Sequence, residues 1–152
     1  MPDDPATLEA FTRAFRTTVP LHDRMAITVL RRGPDALVTM EESDDVRGAA
    51  PGTVHGGMLA TLADAACALS LWGAYDPRHE VTVTTDLHVR YFRQPDGWPL
   101  TAQARLVNQG RRLLSASCEI VDAGRRTLAT ATATFMLVPS AGRVEVPDSV
   151  LR

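Results

Sequence analysis

Lysine is absent from these 152 residues: all 16 basic side chains are arginine, set against 18 acidic ones for a formal net charge of −2. With charge so nearly balanced, neither nucleic acid nor an anionic membrane is expected as the main partner. The arginine bias decides nothing alone, because it fits a coding preference as well as bidentate phosphate binding. Cysteine is scarce too. Cys67 and Cys118 stand far apart in the chain and supply neither a disulfide framework nor a metal-ligand set. Reduced, packed thiols in a cytoplasmic protein are expected, with no metal and no cofactor. No opening stretch joins a basic n-region to an apolar h-region, so no signal peptide is expected. The longest apolar stretch, Met58 to Trp72, is too short and too Ala-rich to span a bilayer comfortably. Internal repeats and low-complexity segments are also missing. The length fits one domain, 1–152, large enough for a real core.

That apolar stretch, MLATLADAACALSLW, is the most informative segment. It follows His55-Gly56-Gly57, and its only ionisable side chain is Asp64. A helix apolar on every side is buried rather than surface-packed. Asp is a poor helix former and is seldom buried without a partner. Left unpaired it costs several kcal/mol or protonates. Asp64 is therefore the first candidate for chemistry; the plain alternative is an Asp satisfied by neighbouring hydroxyls.

Around it the chain alternates elements. Asp4-Pro5 reads as an N-cap and first helical position, and Leu8, Phe11, Ala14 and Phe15 keep helical spacing, predicting a helix over 5–17 that Pro20 stops. Met25 to Arg31 and Ala36 to Glu41 read as strands about a Gly33-Pro34-Asp35 turn, and 42–54 as a loop. The central helix ends near Gly73. Strands follow at Val81 to Arg93, Leu100 to Val107, Leu113 to Val121 and Arg126 to Val138. In the first of these, Val81, Val83, Thr85, Leu87, Val89 and Tyr91 are expected on one face and Thr82, Thr84, Asp86, His88 and Arg90 on the other. In the last, Ala129, Ala131 and Ala133 alternate with Thr130, Thr132 and Thr134, giving one face that another element can approach closely. The tail over 139–152 is expected to be loose. The whole predicts an α+β fold: one long helix against one antiparallel sheet of five or six strands, with its core over about 20–138.

The run Pro51-Gly52-Thr53-Val54-His55-Gly56-Gly57, followed by Leu62-Ala63-Asp64, resembles the hotdog-fold acyl-CoA thioesterases of the phenylacetic-acid-pathway type. Their pattern is G-x-x-H-G-G with a catalytic carboxylate nine residues after the His, the spacing of His55 and Asp64. The resemblance covers roughly residues 20–138 and implies a curved sheet wrapped about the central helix. It implies that the Gly56 N–H, at a helix start where amides lack partners, stabilises the oxyanion of a thioester. His55 then orients the loop, Gly57 helps the substrate approach, and Asp64 acts as nucleophile or general base. A hydroxyl from the next strand supports the carboxylate: Thr84, or failing it Thr85. Arg111 and Arg112, on the turn after Gly110, are candidates for the coenzyme A phosphates; Arg90 and Arg93 are weaker ones. Asp86 with His88 reads as a surface pair, not a hydratase acid–base pair.

One position departs from the pattern. Many members carry an Asn six residues before the His, where this chain has Ala49. A non-catalytic acyl-thioester-binding protein therefore stays open beside the thioesterase of apolar or aromatic acyl-CoAs, and a hotdog enoyl-CoA hydratase is a third reading. Gly56 and Asp64 stand eight positions apart, about 12 Å along a helix at ~1.5 Å per residue. One thioester cannot reach both in one chain, so a homodimer with shared sites is expected, with a homotetramer also open.

Overall fold

The computed structural model describes residues 3–142 and 148–151. Helix α1 (Pro5–Thr18) starts as expected, with Asp4 accepting hydrogen bonds from the Ala6 and Thr7 amides. Pro20 does more than stop it. It opens a second short helix, α2 (Pro20–Arg24), because its fixed φ and missing N–H suit a first helical position. Strands β1 (Ile27–Arg31) and β2 (Asp35–Met40) precede the central helix α3 (Gly56–Ser70). Then come β3 (Glu80–Tyr91), β4 (Leu100–Gln109), β5 (Leu113–Val121), β6 (Thr127–Pro139) and a short helix α4 (Asp148–Leu151).

The six strands form one antiparallel sheet in the order β1-β2-β4-β5-β6-β3, and α3 lies across one face of it. This is the long helix against a sheet that the sequence predicts for a hotdog fold. The face beneath α3 is floored with alanine. Ala36, Ala102, Ala104, Ala116, Ala129, Ala131 and Ala133 are all buried there. The register sets them in rows: Ala36, Ala104, Cys118, Ala131 and Val89 form one, and Val38, Ala102, Ile120, Ala129 and Tyr91 the next. Short side chains let the helix approach closely, and Leu59, Leu62 and Leu69 of the helix are buried.

The expected two faces of β3 are corrected by a β-bulge. Thr84 pairs with Phe135 but Asp86 pairs with Thr134, so Thr85 is an extra residue. An inserted residue reverses which side chains face the core. Before the bulge, Thr82 and Thr84 face α3; after it, Leu87, Val89 and Tyr91 do. Val81 and Val83 are thereby turned to the outer face, beside Val138 and Met136.

The sheet has two different edges. Along β1, α1 supplies the missing partners: Thr12 accepts from the Val29 amide at 3.0 Å, and Arg16 donates to the Ile27 carbonyl at 2.6 Å. Along β3, no described element covers the outer edge. At the far end of α3, Phe11 meets Trp72 edge-on at 5.0 Å. The Arg32 guanidinium stacks near both rings and pairs with Asp3 at 2.6 Å.

The start of the tail is fastened. Ser140 is buried, its amide donates to the His79 carbonyl at 2.9 Å and its hydroxyl to the Arg78 carbonyl at 3.3 Å. Residues 143–147 and 152 of that tail lie outside the described residues. Among the described residues no helix is long and apolar enough to cross a membrane.

One buried group makes stability depend on pH. The His22 ring stacks on Phe15 with centroids 4.2 Å apart, and its Nδ1 lies 3.4 Å from the Phe15 carbonyl oxygen. Burial holds its pKa below the usual imidazole value, and that carbonyl and the Asp64 charge offset the effect only in part. Below about pH 6.5 the unfolded chain therefore takes up a proton that the folded one resists, and stability falls with pH. Urea unfolding between about pH 7.5 and about pH 5.5 should show this loss, and His22→Phe should remove part of it. An unchanged pH dependence in the variant would contradict this account of His22.

Candidate active site

The site is built from the start of α3. His55 is the N-cap residue, with extended backbone, and its Nδ1 accepts the Gly57 N–H at 2.9 Å. A ring nitrogen that accepts carries no proton and is already engaged, so Nδ1 is not free to act as a base. Gly57 leaves room for this arrangement. A Cβ there would fall 2.9 Å from His55 Nδ1 and 3.0 Å from its Cε1. Gly56 differs: the atoms nearest to a Cβ there belong to the Tyr91 side chain, at an ordinary 3.6 to 3.8 Å. The amides of Val54, His55, Gly57 and Met58 each donate to an acceptor. Among the described residues the Gly56 N–H meets none. The structure thus separates the two glycines: Gly57 makes room for the imidazole, and Gly56 presents an exposed, unspent donor.

Two turns further on lies Asp64. Thr61 and Ser70 spend their hydroxyls on α3 itself, donating to the Gly57 carbonyl at 2.9 Å and the Cys67 carbonyl at 2.7 Å. Asp64 instead accepts from another element, since Thr84 Oγ1 donates to its Oδ1 at 2.8 Å. The bulge decides which threonine does this. Thr85 donates to the Thr134 carbonyl at 3.1 Å, while Thr84 is turned toward the helix.

Burial of α3 on every side does not hold for one chain. One sheet covers one side, and Gly57, Ala60, Thr61, Asp64 and Ala68 remain half-buried or exposed along the other. Asp64 therefore faces an open stripe. Cys67, one turn from it, is fully buried; its hydrogen bond with Cys118 and its burial push its pKa far up, leaving an inert thiol. The two cysteines, distant in sequence, meet between α3 and β5.

The remaining expected residues fall in separate places. Leu114, Phe135 and Thr84 share a row of the sheet. The exposed Arg111–Arg112 turn just before Leu114 is thus at the Thr84 end of the molecule, not the Gly56 end. Asp86 and His88 are on the outer face of the sheet, opposite Thr134 and Thr132, away from Asp64. Arg90 shares that outer face, and Arg93 is exposed beyond the strand. Ala49 is exposed within the loop that the Arg47–Val54 bridge closes.

Two residues at this site were not foreseen from the sequence. The Tyr91 hydroxyl donates to the Gly56 carbonyl at 2.9 Å. The Gln94 side chain pairs with both the N–H and the C=O of Val54, at 2.9 and 3.4 Å. Each acts across 35 to 40 residues of chain and belongs to no local pattern, so the sequence carried no signal for it.

Comparison with known proteins bears on the family and the fold. The model of the thioesterase superfamily matches residues 51–129, just over half of the chain. The medium/long-chain acyl-CoA thioesterase YigI of Escherichia coli is 31% identical over 96 residues, 55% of this chain and 62% of that protein. The chain spans less than two thirds of the length of the curated relatives it matches. A solved thioesterase from Haemophilus influenzae superposes with a TM-score of 0.77 at 19% identity, covering 87% of this chain and 90% of that one. A thioesterase family protein from Silicibacter pomeroyi gives 0.75 at 20% identity, covering 87% and 98%. At such identities the likeness is one of fold.

The His55–Gly57 contact generates a stability prediction. Gly57→Ala gains helix propensity of about 0.8–1 kcal/mol but displaces the imidazole and its cap, which is worth about 1 kcal/mol. In a His55→Ala background only the gain remains. Urea unfolding of the wild type, both single variants and the double variant should show coupling of about 1 kcal/mol. Additive effects would contradict the steric role of Gly57.

Proposed function

The chain belongs to the thioesterase superfamily, and from that premise we propose that it hydrolyses acyl-CoA thioesters at sites shared between two subunits. The observation that carries the reading is the Thr84-held carboxylate of Asp64 on the open stripe of α3. It is supported by the unspent Gly56 amide at the helix start. The thioester oxygen accepts from Gly56 N–H, where the helix dipole also favours negative charge. Thr84 fixes the Asp64 carboxylate through Oδ1 and leaves Oδ2 for the reaction. As a general base, Asp64 takes a proton from water, the water oxygen bonds to the carbonyl carbon, and the C–S bond breaks. The proton passes to the departing thiolate, giving free acid and coenzyme A. As a nucleophile, Asp64 forms an anhydride as the thiolate leaves; water then cleaves the anhydride, and the proton it releases passes to the thiolate.

The shared site follows from distance. Gly56 and Asp64 are about 12 Å apart along α3, too far for one thioester to touch both. A two-fold axis setting two such helices antiparallel brings Gly56 of one chain beside Asp64 of its partner. The uncovered edge of β3 and the open stripe of α3 supply surface for such a contact, whereas the β1 edge is capped by Thr12 and Arg16. The finer kinship to the phenylacetic-acid-pathway type rests on the His55-Gly56-Gly57 run and the spacing to Asp64. Ala60, Ala68, Leu87 and Val89, half-buried along the open stripe and the adjoining face of β3, favour an apolar or aromatic acyl group. Arg111 and Arg112, exposed at the Thr84 end, suit the phosphates of coenzyme A. The thiol pair Cys67 and Cys118, both reduced, accords with a cytoplasmic setting.

Ala49 favours a second reading, an acyl-thioester binder, since a methyl replaces the side chain that holds water or carbonyl in many relatives. Thiol release from benzoyl-, octanoyl- and other acyl-CoAs separates the two. Hydrolysis is expected, with Asp64→Asn folded and slower by orders of magnitude. Binding of every acyl-CoA without thiol release would establish the binder instead, and full activity of Asp64→Asn would remove Asp64 from the chemistry. Replacing Arg111 and Arg112 together by Ala should weaken acyl-CoA more than the matching N-acetylcysteamine thioester, which lacks the phosphates; equal effects would leave them a solvated turn.

A further inference from the structure

The peptide units on either side of the Gly56 amide are pinned at both ends. In the Val54–His55 unit, the Val54 carbonyl accepts from Gln94 Nε2 at 3.4 Å, and the His55 amide donates to the Val46 carbonyl at 2.9 Å. In the Gly56–Gly57 unit, the Gly56 carbonyl accepts from the Tyr91 hydroxyl at 2.9 Å, and the Gly57 amide donates to His55 Nδ1 at 2.9 Å. Between them is the His55–Gly56 unit. Its carbonyl accepts from the Met58 and Leu59 amides at 2.9 and 3.4 Å, and its N–H is the one left over. With both flanking planes fixed, the torsions at His55 and Gly56 are fixed, and so is the direction of that N–H.

Gln94 is itself braced. Its backbone carbonyl accepts from Arg126 at 3.4 Å. The Asp122 carboxylate holds Arg126 through Nε at 3.1 Å and the Asp96 amide at 3.2 Å. Gln94 also accepts the Val54 amide at 2.9 Å, making a two-point clamp on one residue. The chain from the β5–β6 turn to the start of α3 is thus a continuous set of hydrogen bonds ending one peptide before the donor.

We propose that Gln94 and Tyr91 are positioning residues that aim the Gly56 N–H at the thioester oxygen, an assignment that rests on the thioesterase reading above. Neither side chain touches the reacting atoms. A preorganised donor gives up about 10²–10³-fold in rate when it is lost, and misdirecting it should forfeit part of that. Tyr91→Phe removes one hydroxyl and keeps the ring against Gly56. Gln94→Met removes both clamp bonds, and Gln94→Glu keeps the acceptor for the Val54 amide but loses the donor.

The kinetic test is kcat against KM for the best acyl-CoA of the panel. Tyr91→Phe and Gln94→Met should each lower kcat about tenfold with little change in KM, and Gln94→Glu should fall between wild type and Gln94→Met. The direct test uses the Asp64→Asn background, in which an acyl-CoA labelled with ¹³C at its carbonyl binds without turning over. Its carbonyl stretch should shift to lower frequency on binding, and Tyr91→Phe or Gln94→Met should move it back toward the free value. An unmoved stretch with unchanged kcat in variants that bind normally would overturn the positioning role while leaving the thioesterase reading standing. Should Gln94→Met fail to fold, Tyr91→Phe and Gln94→Glu decide the matter by the same two measurements. Full activity of Asp64→Asn would instead remove the reading on which the inference rests.

Discussion

Everything at the candidate site depends on how closely α3 lies to the sheet. Seven buried alanines floor the contact on β2, β4, β5 and β6, and Ala63, Ala65 and Ala66 answer them from the helix. Interiors pack without voids, so short side chains on both surfaces draw the two elements together. Only then can a side chain as short as threonine bridge from β3 to a carboxylate on α3 at 2.8 Å. A longer residue at Ala131 or Ala133 would overpack this buried face and press the two elements apart.

The bulge at Thr85 adds the second constraint. A regular strand would present either Thr84 with Thr82 or Leu87 with Val89 to the helix, never both sets. One extra residue lets β3 offer a hydroxyl beside Asp64 at one end and apolar side chains, with Tyr91, at the other. The same strand therefore supports the carboxylate and holds the Gly56 carbonyl, which ties the two halves of the site to one edge of the sheet.

The helix, the His55-Gly56-Gly57 run that leads into it and Asp64 were legible in the sequence because each is local: an apolar run with one misplaced charge. The alanine–threonine alternation of β6 was legible for the same reason. The bulge was hidden by Val81 and Val83, which continue the apolar alternation of β3 although they face outward beside Met136 and Val138. Helix α2 was hidden because a proline reads as a stop as readily as a start. Tyr91 and Gln94 were out of reach, since single polar residues at a strand end gain meaning only from a backbone group 35 to 40 positions away. The apolar run predicts burial on every side, whereas one sheet leaves along α3 an open stripe with Asp64 on it.

On the proposed reading Gly56 and Asp64 act on one thioester from different chains, and subunit mixing decides it. Asp64→Asn and a bulky Gly56→Leu variant should each be inactive alone. After exchange, a mixed dimer carries one site with both groups intact, so random mixing should restore about a quarter of the wild-type activity. No recovery despite exchange proven by native mass spectrometry, or an active monomer by light scattering, would contradict it.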